Sequence, residues 1–274
     1  MVPDLDAILA CDRAIRRRAA AETIPLPHGL VVRHGGLPDV HHLNAVLLDA
    51  APTPRADADA DVALAERWLG DRCHRQLLFD DAGAGERAAA TLTDRGWKRE
   101  RIVFMGFTGD PPAADGDDRA REISDAELGH LQRAALAEDV SAADLRRGLV
   151  DQLVVAQRAL RAGTPARGFG AGDGDGLQST CTLFLSADVQ RRRVAMIDEV
   201  GTLRGHRERG LARAVVLAAV AAAGAWGADL IAVPADADDW PQLMYARLGF
   251  APLGRRVALT LSGRAASGSV SGAV

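Results

Sequence analysis

The stretch VAMIDEVGTLRGHRERGLARAVVLAAVAAA, residues 194–223, limits the folds open to this chain more than any other. Apolar residues with a β-like pattern lead up to Asp198 and Glu199, and an Arg/Gly-rich turn follows. From Gly210 the sequence becomes an Ala/Val/Leu run, a strong helix former. A strand that hands over to a long helix through so short a turn belongs to architectures in which the two elements alternate and pack in layers.

The rest of the chain fits that reading. DLDAILACDRAIRRRAAAE (4–22) has the spacing of an amphipathic helix, LVVRH and NAVLLDA read as strands, and ADVALAERWLGD as a helix. A strand–helix–strand unit follows in RQLLFD, AGERAAATLTDRGW and ERIVFMGF. Residues 109–122 are rich in Pro, Gly and Asp and read as a linker, and two helices are expected within 124–162. The Gly/Asp-rich segment 163–178 is expected to be a mobile loop. Strands then follow at STCTLFLSA and RRVAMIDEVGTL, the helix from Gly210, the strand DLIAVPAD, the helix DWPQLMYARLGF and the strand RRVALTLS.

Two parts of the chain resemble each other. In the first, LLFD leads through a helix to Leu-Thr-Asp-Arg-Gly96-Trp97 and a strand. In the second, IAVP leads through a helix to Tyr-Ala-Arg-Leu-Gly249-Phe250 and a strand. Gly96 follows Leu77 by 19 positions and Gly249 follows Ile231 by 18, which points to a tandem repeat. The expected division is a first domain at 1–112, a linker at 113–122, a second domain at 123–264 and a disordered tail at 265–274.

Composition excludes several classes. A net charge of −4 gives no global attraction to nucleic acid or anionic membrane. Lys98 is the sole lysine, so arginine carries nearly all the basic charge and a given arginine is less informative than usual. Cys11, Cys73 and Cys181 have no metal-ligand or disulfide-framework spacing, and reduced thiols and no bound metal are expected. Cys73-His74 is an adjacent pair that rarely makes a nucleophile and base; His206 lies inside the Arg/Gly-rich turn, where it could contact an anion or simply stand exposed, and the remaining histidines, His41-His42 included, read as structural. The first turns carry charges unlike a signal peptide, and the longest apolar run, Leu217–Ala223, is too short to span a bilayer. A cytoplasmic protein, monomer or homodimer, is the expectation.

The turn itself has the form R-x-x-G-x-A at Arg207, Gly210 and Ala212. A helix start leaves several N–H groups without partners and its dipole favours anions, so a diphosphate can bind there if the backbone comes close. Glycine permits that approach, a small residue at 212 leaves the amides unshielded, and Arg207 and Arg209 can add charge-assisted bonds. The pattern alone is weak, and Arg167-Gly-Phe-Gly170-Ala-Gly172 fits its R-x-x-G-x-G form even better. That second match runs on into DGDG, which cannot begin a helix, so only the turn at 207–213 qualifies.

The segment IDEVGTLRGHRERGLARAVV resembles the acyl-CoA-binding motif of the GNAT acyltransferase superfamily. DDWPQLMYARLGF resembles that family's next motif, and together they span roughly 180–262. The resemblance implies an α/β fold with a mixed, mostly antiparallel sheet flanked by helices, here as two GNAT-like domains in tandem with the first degenerate. It implies acetyl-CoA, or another acyl-CoA, as co-substrate. Val200, Gly201 and Thr202 would pair with the pantetheine arm. Arg207, Glu208, Arg209, Gly210, Leu211, Ala212 and Arg213 would hold the pyrophosphate. Tyr245, the only tyrosine, would stand near the sulfur as general acid.

Glu199 or Asp198, directly or through a water, would take the amine's proton, with Glu199 preferred, and strand alternation places them on opposite faces. Glu208 departs from the family's usual glycine, Arg204 from its proline, Asp238 from its asparagine and Pro241 from its small residue. The first half has no such turn, and Leu92 falls where Tyr245 falls, so one cofactor per chain is expected. The acceptor would be a small-molecule primary amine. A carrier-protein-tethered substrate and a non-catalytic acyl-CoA-binding protein remain as alternatives, the latter favoured by Glu208 and disfavoured by Tyr245.

Overall fold

The computed structural model describes residues 3–49, 57–112, 117–174 and 176–263. The chain divides into two compact units, and neither is one continuous segment. The first unit joins the residues up to Ala19 to Ile102–Arg255, and the second joins Ala20–Arg101 to the residues from Arg256 onward. This partition differs from the expected 1–112 and 123–264. The first helix falls with the later residues, and the end of the last strand falls with the earlier ones. The expected tail at 265–274 lies outside the described residues, as do residues 113–116 of the expected linker.

The second unit is built from β1 (Glu22–Leu26), β2 (Gly29–Arg33), β3 (Ala45–Leu48), α2 (Ala58–Leu69), β4 (His74–Phe79) and α3 (Ala82–Leu92). β1, β2 and β3 pair antiparallel in order, and β3 pairs parallel with β4. A parallel pair needs a crossover, which α2 supplies. The outer neighbour of β4 comes from β11 (Phe250–Ser262), whose residues Val257–Ser262 pair antiparallel with Phe79–His74. Arg256, fully buried on that strand, is held by Asp80, with Nε donating at 2.7 Å. Val31, Leu77, Phe79, Leu92, Trp97 and Leu259 meet in this unit's core.

The first unit contains α1 (Pro3–Ala19), β5 (Lys98–Phe107) from Ile102 on, β6 (Ala120–Ile123), α4 (Asp125–Asp139), α5 (Ala142–Arg146) and α6 (Leu149–Gly163). It continues with β7 (Ala166–Ala171), β8 (Ser179–Val189), β9 (Arg192–Thr202), α7 (Leu211–Trp226), β10 (Leu230–Asp236) and α8 (Pro241–Arg247). Its strand order is β11-β5-β10-β9-β8-β7-β6. β6 to β9 pair antiparallel in sequence, β9 and β10 pair parallel around the crossover α7, and β5 pairs antiparallel with β10. α7 is apolar almost all round. Its buried Leu211, Val215, Ala219, Val220 and Ala223 pack with Leu183, Ala195 and Ile197 of the sheet, as a helix against a sheet core requires.

The mixed, mostly antiparallel sheet flanked by helices agrees with expectation, and local elements differ from it in four places. The expected mobile loop at 163–178 contains β7, and the expected linker at 113–122 ends inside β6. The span 124–162 holds three helices instead of two, the last entered through Gly148 at φ 73°. β1 was not anticipated. Both glycines of the internal similarity are left-handed, Gly96 at φ 85° and Gly249 at φ 96°, and each is followed by a buried aromatic, Trp97 or Phe250. Three antiparallel strands, a crossover helix, a parallel strand, a second helix and a left-handed glycine therefore recur in that order in both units.

Candidate functional site

The parallel pairing of β9 with β10 ends at Met196↔Ala232, while β9 runs on to Thr202 and β10 to Asp236. At that point β9 is irregular. Its register against β8 shifts between Thr180↔Gly201 and Thr182↔Asp198, and Glu199 sits at φ 56°. This is a β-bulge, with one residue more on β9 than on β8.

The bulge overturns the expected alternation of the two carboxylates. Asp198 is in register with Thr182 and so shares its face, and Thr182 Oγ1 donates to Glu199 Oε2 at 2.6 Å. Both acids therefore serve the face covered by α4, where a Cβ on Gly201 would meet Ala135 at 3.7 Å. Val200 turns the other way and packs with the cluster that holds Tyr245. The Glu199 side chain is only 9% exposed. Burial, and next to it the charge of Asp198, raise its carboxyl from the usual 4.5 to about 7, against the opposing bonds from Thr182 and Gln132 and the charge of Arg161. Asp198 is raised as well, by burial first and then by Asp12, while its Oδ1 accepts the Glu199 N–H at 2.7 Å.

Tyr245 projects from α8 into the core and meets the ring of Phe250 edge-on at 5.9 Å. Burial first, then Asp198 and Cys181, push its hydroxyl well above the ordinary phenol range. It therefore keeps its proton near neutral pH and is available as a proton donor.

The turn lies between β9 and α7. Gly210 is left-handed at φ 78° and α7 opens with no side chain capping its first amides. Leu211 is buried and anchors the helix, so only its backbone can face a ligand, whereas Ala212 is half-buried and Arg213 exposed. Glu208 is exposed and adopts φ 65°, the conformation a glycine takes without strain. Arg207 donates from Nε to the Thr202 carbonyl at 3.1 Å and from Nη2 to Asp139 at 3.0 Å. Arg209 donates to Asp173 at 2.9 Å, and the Arg204 N–H to Glu138 at 2.6 Å. The Thr202 hydroxyl shares a bond with Ser179 at 2.9 Å. Arg207 and Arg209 thus stand just ahead of the helix start, each tied to a carboxylate that sequence reasoning did not find: Asp139 ends α4 and Asp173 follows β7, far off in sequence.

The corresponding helix of the second unit is built differently. α2 begins at Asp57, whose carboxylate accepts from the N–H groups of Asp59 and Ala60 at 3.1 Å. Its first amides already have an anion. The competing motif at Arg167 lies on a strand, where Arg167 pairs with Glu122 across the β6–β7 ladder.

Among the described residues no cluster of His, Cys, Asp and Glu could hold a metal, and no helix is long and apolar enough to cross a membrane. No family model and no curated protein matches the sequence. Solved structures do match in fold. A conserved protein of unknown function from Staphylococcus epidermidis is 13% identical, with a TM-score of 0.65 over 89% of this chain and 94% of its own. A GCN5-related N-acetyltransferase from Kribbella flavida is 20% identical, with a TM-score of 0.62 over 96% and 97%. A GCN5-related N-acetyltransferase from Sphaerobacter thermophilus is 17% identical, with a TM-score of 0.54 over 80% and 75%. Over most of its length, this chain has the fold of the GNAT N-acetyltransferases.

Proposed function

We propose that the chain transfers an acetyl group from acetyl-CoA to the primary amine of a small molecule, by direct attack within a ternary complex. The observation that carries this reading is the pair of features at the two ends of β9's free run. An uncapped helix start just after two arginines stands at one end, and a buried carboxylate with a proton affinity near neutrality stands at the other. The first suits a diphosphate, held by the amides after Gly210 together with Arg207, Arg209 and Arg213. The second suits a general base working near pH 7. Between them the backbone of Val200–Thr202, past the point where β10 stops pairing, offers hydrogen bonds to a pantetheine arm. Glu199 takes the amine's proton and Tyr245 gives a proton to the departing thiolate.

A second reading keeps the chemistry and changes the donor. Because Asp139 and Asp173 already engage the arginines and Glu208 stands beside them, an acyl-pantetheine carried on a protein would demand less of the turn. Calorimetry with acetyl-CoA on the full chain, followed by thiol-release assays over an amine panel, tests the proposal. Tyr245→Phe should leave cofactor affinity nearly unchanged and lower kcat and kcat/KM together by about 10²-fold. Full activity in Tyr245→Phe would leave the tyrosine as packing. Absence of any acetyl-CoA binding would end the proposal in favour of the carrier-borne donor.

A further inference from the structure

The bonds that Glu199 receives all fall on one of its two oxygens. Oε2 accepts from Thr182 Oγ1 at 2.6 Å and from Gln132 Nε2 at 2.7 Å, and lies 3.6 Å from Arg161 Nη1. Oε1 is buried and has no hydrogen-bond partner among the described residues. The Gln132 amide has its orientation imposed from behind, because its carbonyl oxygen accepts from Arg161 Nη1 at 3.0 Å. With that oxygen turned to the guanidinium, the amide can only donate toward Glu199 and Thr182.

Arg161 is itself enclosed. Its side chain is 8% exposed, and its Nε donates at 2.7 Å to Asp125, which is 67% exposed. One guanidinium therefore stands between a buried acid on β9 and a surface acid at the start of α4. We propose that Arg161 is a positioning residue for Glu199: through Gln132 it fixes Oε2 as the bonded oxygen and leaves Oε1 to receive the proton, and its charge, divided between Glu199 and Asp125, sets how readily Glu199 ionises. The claim rests on the reading of Glu199 as base.

The charges around the carboxylate give this arginine its influence. Asp198 beside Glu199 disfavours its ionisation, while Asp12 of α1 disfavours that of Asp198 itself. Arg16 of α1 reaches Asp198 in the favourable sense, held by its own pair with Asp12 at 2.9 Å. Arg161 faces Glu199 directly. In so dry a site a single cation at this distance moves an acid by one unit or more.

The test reads Glu199 itself. On the full chain carrying ¹³C-carboxyl glutamate, the Glu199 signal is assigned by its loss in Glu199→Gln, and its midpoint is followed by NMR against pH without ligand. Arg161→Met should raise the midpoint by about one unit, and Arg161→Lys, which restores a charge, should bring it back toward the parent. Asp125→Asn should lower it, because the guanidinium is then left to Glu199. Opposite shifts from the two variants are not what loss of packing produces. An unmoved midpoint in a folded Arg161→Met variant overturns the proposal. If that variant does not fold, Asp125→Asn at its exposed position decides, and a midpoint that stays or rises overturns it. The pH–rate profile separates this claim from the functional reading. A shifted NMR midpoint with an unshifted rate limb would remove Glu199 as base while its tuning by Arg161 stands.

Discussion

Ionising Glu199 costs the folded chain free energy that the unfolded chain does not lose, and the cost has a definite pH range. Its carboxyl titrates at about 7 when folded against 4.5 when free, so the folded state holds the proton more tightly. The resulting stabilisation is complete below about 4.5 and is lost as pH rises through about 7, on the order of 3 kcal/mol in all. Glu199→Gln, which cannot ionise, should be more stable than the parent at pH 8 and should flatten this part of the profile. Urea unfolding at pH 5 and pH 8 checks it, and equal pH dependence in both proteins would contradict the assignment. Glu208 offers a second test. It is a non-glycine residue held at φ 65° beside the arginines, so Glu208→Gly should gain about 1 kcal/mol of stability and tighten acetyl-CoA binding. Weaker binding would show that the acid helps to order the turn.

At the scale of elements, the two crossover helices are the informative contrast. α7 starts at a left-handed glycine with no side-chain cap, and α2 starts under the carboxylate of Asp57. One cofactor per chain should bind, and Gly210→Asp should abolish it by placing an anion where Asp57 already stands in α2. Native mass spectrometry shows the stoichiometry directly, and two equivalent sites would refute the contrast. The strand–turn–helix at 194–223 was legible because its composition changes at the positions where the backbone does. The bulge at Glu199 was not, because period-two alternation assumes an unbroken register and the extra residue is recorded only against Thr182. β7 was hidden by its glycines. Gly168 and Gly170 read as loop residues, yet a Cβ there would come within 2.8 Å of Leu128 and 2.9 Å of Leu177. They are glycines because a strand must pass close beneath its neighbours.

For the whole molecule, the strand following each left-handed glycine completes the other unit. β5 follows β4 and α3 but pairs with β10, and β11 follows β10 and α8 but pairs with β4. Residues 20–101 alone therefore lack the strand that carries Arg256, the buried partner of Asp80, and residues 117–263 alone lack α1 and β5. Leaving one member of a buried ion pair uncompensated costs about 3–5 kcal/mol, before the missing strand is counted. Neither segment should show cooperative unfolding by circular dichroism when expressed alone, and residues 1–112 mixed with 113–274 should recover it. A cooperatively folded 117–263 would show that the exchange is dispensable.

The same exchange sets a timetable for biosynthesis. When Arg101 is made, β3 and β4 can already associate, but the part of β11 that covers the far edge of β4 begins only at Val257. At ribosomal rates of about 5–20 residues per second, that interval lasts roughly ten to thirty seconds. Throughout it a strand bearing Leu77, Leu78 and Phe79 has one side open to any other nascent chain, which is the situation that invites misassembly. The cell must keep that edge apart from its neighbours until the last strand arrives to close it.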